Sequence, residues 1–192
     1  MPARVSREQV IARLAELADQ QPEHTLFVGV DGFGGSGKST LADHLAAAIA
    51  CAHVVRVDDF WGPSIKEWDW PRFEAQVLQP LRAGSVARYQ IWDWVRDVGG
   101  EWVDVPPGRV VIVEGVSATR REVDVAWDLT IWVDAPAETR LARARARDGA
   151  AMLYRWLEDW MPSEQAYAKR ERPWERVDLL VSGVDGLDVD DS

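Results

Sequence analysis

The sequence predicts an α/β fold: a central parallel sheet of about five strands with helices on both faces. Three observations carry this. Short runs rich in Val, Ile and Leu alternate with stretches of helical period, as doubly buried strands and their crossover helices do. A glycine-rich segment, Gly32-Phe33-Gly34-Gly35-Ser36-Gly37-Lys38-Ser39-Thr40, joins one such run to one such helix. The 192 residues, 47% apolar and 28% charged, suit one domain spanning 1–192 and are too few for two comfortable ones.

The elements come in this order. Ser6-Arg7-Glu8-Gln9 has the form of a capping box, and Val10, Leu14 and Leu17 then fall on one face, so residues 1–22 should hold an N-terminal helix. Residues 25–30 form a short apolar run suited to a buried strand. Leu41, Leu45 and Ile49 mark the helix after the glycine-rich turn. Further strands are expected at 54–57, 110–113, 129–133 and 177–181. Helices are expected at 73–81, with Pro80 near its end, at 137–147, and within 154–169, interrupted near Pro162. The stretch 83–107 is the least regular and has room for an edge hairpin. Residues 185–192 are acidic and weakly apolar, and should form a loose tail.

Charge and composition exclude some functions. The net charge of −10 argues against nucleic acid as the main partner, since a phosphate backbone needs a basic face. No run reaches the length of a membrane helix, and the N-terminus has no apolar signal core. Cys51 is the single cysteine, so no intrachain disulfide can form, which suits a reducing cytoplasm. Its expected place is a small buried position on or just after the first helix of the α/β alternation, the one that follows the glycine-rich turn.

Gly32 to Ser39 match the phosphate-loop (P-loop) pattern of a glycine, four residues and Gly-Lys-Ser. Gly32, Gly34, Gly35 and Gly37 should let the backbone curl so that its N–H groups face a phosphate, at points where a Cβ would obstruct. With Ser36 and Thr40 they form the expected nucleotide-binding set. The helix N-terminus adds a partial positive charge. Lys38 can reach the β- and γ-phosphates, and the Ser39 hydroxyl can ligate Mg²⁺.

In open α/β sheets ligands gather at the carboxyl ends of strands. There the sequence places Asp58-Asp59 and Glu114, where a carboxylate can orient Mg²⁺, accept a proton from a hydroxyl, or simply cap a turn. Trp is abundant, eleven in all. Trp61, Trp68, Trp70, Trp92 and Trp94 come after the second strand; such faces stack on flat ligands or fill a core. Residues 137–148 make a basic helix in an acidic protein. Arg140, Arg143 and Arg147 share one face, as an arginine-bearing lid over phosphate or as a solvated surface balanced by nearby acids.

These segments, taken together, resemble the uridine kinase-like branch of the P-loop small-molecule kinases, which includes phosphoribulokinase and pantothenate kinases. The resemblance spans residues 24–183. After the phosphate loop, Asp58-Asp59-Phe60-Trp61 is similar to the family's Asp-x-Phe-Tyr, and Trp68-Asp69-Trp70-Pro71 to its Phe-Asp-His-Pro. Ile91-Trp92-Asp93-Trp94 is similar to its Val-Tyr-Asp-Phe, Val113-Glu114-Gly115 to its Phe-Glu-Gly, and Arg140 to Asp148 to its arginine lid. The resemblance implies ATP-dependent phosphoryl transfer to a hydroxyl of a nucleoside or similar small molecule. It implies Asp58 as general base, with Asp59 left open as its rival, and Asp69 as a holder of acceptor hydroxyls. Glu114 would help bind Mg²⁺, Arg143 and Arg147 would close over the phosphates, and Trp61, Trp92 and Trp94 would line the acceptor site. Where uridine kinases place a histidine that reads the base, this chain has Asp97. Phosphoryl transfer therefore carries over better than uridine specificity.

The alternative is a nucleotide-binding ATPase or switch acting on a macromolecular partner. A guanine-specific switch would need an Asn-Lys-x-Asp segment and a transporter ATPase a Ser-Gly-Gly signature; neither is present.

Overall fold

The computed structural model of the protein describes residues 2–22, 24–62, 68–108 and 110–184. The expected acidic tail at 185–192 lies outside them. Six parallel strands form the main sheet: β1 (Ala3–Val5), β2 (Leu26–Gly32), β3 (Ala52–Arg56), β6 (Val110–Glu114), β7 (Leu129–Asp134) and β8 (Leu179–Ser182). Across the sheet they run in the order β1-β8-β7-β2-β6-β3. The sheet of about five strands is found with one more at its edge: β1 pairs with β8 through three residues. It is too short and too exposed to announce itself in sequence.

β2, β6 and β7 are the centre of the sheet and are buried along almost their whole length. Their Val-Ile-Leu runs reflect burial on both faces. On one face α1 (Arg7–Gln20) and α2 (Lys38–Ala48) bury Val10, Leu14, Leu41 and Leu45 against Val28, Val30 and Ile112. The capping box at the start of α1 forms as expected: Ser6 Oγ accepts from Gln9 N, and Gln9 Oε1 accepts from Ser6 N. On the other face Phe60, Trp68, Phe73, Val77 and Leu78 pack on Phe27, Val55, Val111 and Val113. Trp68 is thus a core residue, its Nε1 donating to Ser117 Oγ.

The hairpin expected within 83–107 is real but makes a separate two-stranded sheet, β4 (Ala87–Asp93) with β5 (Val98–Val105), bulged between Gln90 and Trp92. It packs on a 3₁₀ turn, Val57–Phe60, that comes after β3, with Tyr89 stacked on Phe60 at 4.9 Å. Val57 therefore opens that turn, where the sequence had it ending a strand.

Two helical stretches contain a π turn. α3 (Trp70–Phe73) passes through Glu74–Leu78 into α4 (Gln79–Arg82). α6 (Leu153–Arg155) passes through Trp156–Trp160 into α7 (Met161–Glu171). Each π turn sits just before a proline, Pro80 or Pro162. A proline ring clashes with the carbonyl four residues back and donates no N–H, so widening that turn lets the helix continue. Between them lies α5 (Ala137–Asp148), the basic helix. Cys51 is exposed with φ 60°, in the tight turn between α2 and β3, so its expected burial is not found. Among the described residues no helix is long and apolar enough to cross a membrane.

Candidate functional site

The phosphate loop leaves β2 at Gly32 and enters α2 at Lys38, at the carboxyl end of the central strand. Gly35 and Gly37 have φ of +73° and +98°, the left-handed region that glycine tolerates best. At Gly34 the constraint is different. A Cβ there would lie 2.6 Å from the Trp156 ring and 2.7 Å from Glu164 Oε1, so a glycine is needed for close packing against the π turn and α7. Ser36 is fully buried beneath the loop, and among the described residues its Oγ has no hydrogen-bond partner. Lys38 Nζ folds back to the Phe33 carbonyl at 3.5 Å. Ser39 is exposed at the first turn of α2 and Thr40 half-buried.

Beneath the loop lies Asp31, fully buried. One of its oxygens accepts from Gly32 N at 2.7 Å and Ser117 N at 2.9 Å. The other accepts from Thr119 N at 3.1 Å, Thr119 Oγ1 at 2.8 Å and Tyr167 Oη at 2.7 Å. Burial pushes its carboxyl pKa up, and these donors oppose the push. Asp31 thereby ties the loop's root to the segment after β6 and to α7. The sequence reading missed it, although an acid inside an apolar strand is a signal of buried donors.

Two oxygen donors that could hold a divalent cation lie alongside. Ser39 Oγ donates to Glu114 Oε2 at 3.3 Å, and Arg56 holds the other Glu114 oxygen at 2.8 Å while also reaching Asp43 at 2.8 Å. Among the described residues no group of three or more His, Cys, Asp or Glu forms a metal cage. Two adjacent hard oxygens nonetheless suit Mg²⁺, which usually takes one or two protein ligands and completes its shell with phosphate and water.

Asp58 and Asp59 occupy the 3₁₀ turn and differ sharply. Asp58 is exposed and lies within electrostatic reach of Arg147 and Glu164. Asp59 turns toward the hairpin, where Tyr89 Oη donates to it at 3.3 Å. Desolvation, joined by repulsion from Asp58, pushes its pKa up to about 6. Arg72, unremarked in the sequence, ties this turn to the hairpin: it donates to the Asp59 carbonyl at 2.8 Å and the Gln90 carbonyl at 2.9 Å, beneath Phe60. Asp69 caps α3 by accepting from Arg72 N at 3.0 Å. Three of the tryptophans lie together: Trp61 is 5.8 Å from Trp92 and 4.6 Å from Trp94 between ring centroids. Trp92 Nε1 is buried and has no hydrogen-bond partner among the described residues, while Trp94 is half exposed.

The arginines of α5 divide their work. Arg140 is buried, stacked on Phe33 at 4.4 Å and paired with Glu164 at 3.6 Å. Arg143 donates to the Gly183 carbonyl at 2.8 Å and the Gly35 carbonyl at 3.4 Å, against the loop's outer side. Arg147 is exposed, bonded to Asp148 and lying 5.8 Å from the Trp156 ring.

Comparisons with known proteins bear on the fold and family of the chain. Residues 28–155 match the family model of an AAA domain. An inorganic pyrophosphatase, TTM2 of Arabidopsis thaliana, is 26% identical over 148 residues, 72% of this chain; the chain spans only 22% of that protein's length. A protein from Silicibacter sp. TM1040, provisionally named a fructose transport system kinase, superposes with TM-score 0.72, 23% identity, and coverage of 92% of this chain and 98% of its own. A provisionally named uridine kinase from Bacillus stearothermophilus gives 0.63 at 19% identity, covering 90% of this chain and 99% of its own. The YGR205w protein gives 0.64 at 10%, covering 92% and 94%. At these identities the superpositions establish the fold alone, an α/β P-loop architecture. With more than half of its length matched, this chain belongs to the AAA-domain family of P-loop proteins.

Proposed function

We propose that this protein is an ATP-dependent kinase that phosphorylates a hydroxyl of a small molecule, a nucleoside or similar metabolite. The observation that carries the reading is the placement of Asp58, exposed at the end of β3 and within electrostatic reach of Arg147 and of the Glu164 carboxyl beside the loop. A general base next to a phosphate loop is what phosphoryl transfer to a hydroxyl requires. The kinase names carried by two proteins of like fold point the same way.

In this reading the loop N–H groups and Lys38 hold the phosphates of ATP. Ser39 and Glu114 would hold Mg²⁺, which supplies charge neutralisation on the phosphates. Asp58 takes the proton of the acceptor hydroxyl as its oxygen bonds to the γ-phosphorus and the bond to the ADP oxygen breaks. Arg147 stabilises charge on the moving group, and Arg143 joins it if it leaves the Gly35 carbonyl. Trp61, Trp92 and Trp94 position the acceptor, and Asp69 holds its hydroxyls. Rate enhancement comes chiefly from positioning and fixed charge.

A second reading, hydrolysis with water as acceptor, is favoured by the pyrophosphatase name of the curated relative. ADP and phosphate release from Mg·ATP, measured across ribonucleosides, deoxynucleosides, nicotinamide riboside, pantothenate and simple sugars, separates the two. Release that needs one acceptor and vanishes in Lys38→Ala supports the kinase. Release indifferent to every acceptor supports hydrolysis.

A further inference from the structure

Among the described residues, Glu164 is the acid that touches the phosphate loop's backbone from outside the loop and its own strand. It lies on α7, 7% exposed. Both of its oxygens sit 3.1 Å from Gly34 N, which donates to them. The Arg140 guanidinium is 3.6 Å away. The Lys38 charge lies within electrostatic reach of this carboxyl and favours its ionised form, against the desolvation that pushes its pKa up. Trp156 closes the same place from above Gly34. A loop N–H and a buried arginine on one carboxylate, with the P-loop lysine in electrostatic reach, is the chemistry of an anion site, filled here by the protein's own side chain.

We propose that Glu164 is an internal stand-in for the terminal phosphate of a nucleoside triphosphate. The γ-phosphate must displace it to reach Lys38 and Gly34. A diphosphate, lacking that group, can bind with Glu164 in place. Triphosphate binding is thereby coupled to withdrawal of the segment 156–164, while diphosphate binding is not. The coupling equals the difference in affinity of the two nucleotides for the held and released states. The inference rests on the phosphate loop binding nucleotide, as the proposed function does, and adds which group the site senses. A purely structural brace between α7 and the loop would show the same hydrogen bonds, so the test must separate the two.

Glu164→Gln does so, because a glutamine oxygen still accepts from Gly34 N while the charge is gone. Dissociation constants for Mg²⁺ with a non-hydrolysable ATP analogue, and for Mg²⁺ with ADP, are measured by calorimetry in both proteins, with Lys38→Ala as the control for the site. The variant should bind the triphosphate about tenfold tighter or more, with ADP changed by less than about threefold. An unchanged ratio of the two affinities, or a weaker triphosphate, overturns the proposal and leaves Glu164 a brace. Should the variant fail to fold, amide exchange on the unaltered protein decides: peptides covering 156–164 should exchange faster with the triphosphate analogue and not with ADP. Equal protection with both sinks the idea. ADP binding by the unaltered protein that is lost in Lys38→Ala establishes the nucleotide site whatever Glu164 does. If neither nucleotide binds, this inference and the proposed function fall together.

Discussion

Asp31→Asn changes one atom and removes one charge at the root of the phosphate loop, and its cost can be worked bond by bond. The carboxyl accepts five hydrogen bonds, two at one oxygen from Gly32 N and Ser117 N, and three at the other from Thr119 N, Thr119 Oγ1 and Tyr167 Oη. An asparagine keeps one oxygen. If that oxygen faces Gly32 and Ser117, its NH₂ points at Thr119 and Tyr167. Both hydroxyls can rotate to accept, but the Thr119 N–H cannot, and it is left buried and unpaired. An orphaned N–H costs about 1–3 kcal/mol, and the retained bonds lose their charge assistance, so a total loss near 3 kcal/mol is expected. The opposite orientation orphans two backbone N–H groups and is worse. Reversible urea unfolding at pH 7 reads this as a lowered midpoint with an unchanged slope. A loss below about 0.5 kcal/mol would refute the reasoning. It would mean that burial has won over the donors and that Asp31 already carries a proton in the native fold.

The site carries further expectations. Asp58→Asn should lower acceptor-dependent turnover by about two orders of magnitude or more while leaving nucleotide affinity nearly unchanged, as single-turnover assays and calorimetry would show. Full turnover in that variant would remove Asp58 as the base. Asp59→Asn tests the raised pKa. Because the folded value, about 6, lies above the unfolded one, an ionised Asp59 disfavours the fold. Wild-type stability should thus decline as pH rises from about 4 through 6, relative to the variant. At pH 7 Asp59→Asn should be the more stable by on the order of 1 kcal/mol after discounting for its partial exposure, with the difference gone at pH 4. An equal difference at both values would dismiss the titration.

What could be read in the sequence was whatever acts locally. The phosphate loop is a contiguous spacing of glycine, lysine and serine, so its position and its flanking strand and helix were plain. The inner strands were visible because burial on both faces writes Val and Ile without interruption. β1 was not, because an edge strand of three residues draws its stability from backbone bonds to β8 and needs no pattern of its own. Glu164, Asp31 and Arg56 were missed because each works across long stretches of chain, 130 residues in the case of Glu164 and Gly34. A faint trace did exist: Glu164 shares a helical stripe with Tyr167, Ala168 and Glu171, all buried. An acid on the inner face of a helix asks for a donor, and only the fold says which one.

The π turn at 156–160 also sets the rotational phase of α7. In a regular α-helix, residues eight apart are rotated by about 80°, and residues seven apart by about 20°. Trp156 and Glu164 are eight apart, yet both meet Gly34. The wider turn absorbs one residue, so eight positions take up the angular span of seven and the two side chains line up on a single stripe. Pro162 does more than interrupt a helix here. By favouring that extra residue it clocks α7 into register with the loop, and a helix of ideal geometry with the same amino acids would aim Trp156 or Glu164 away from the nucleotide site.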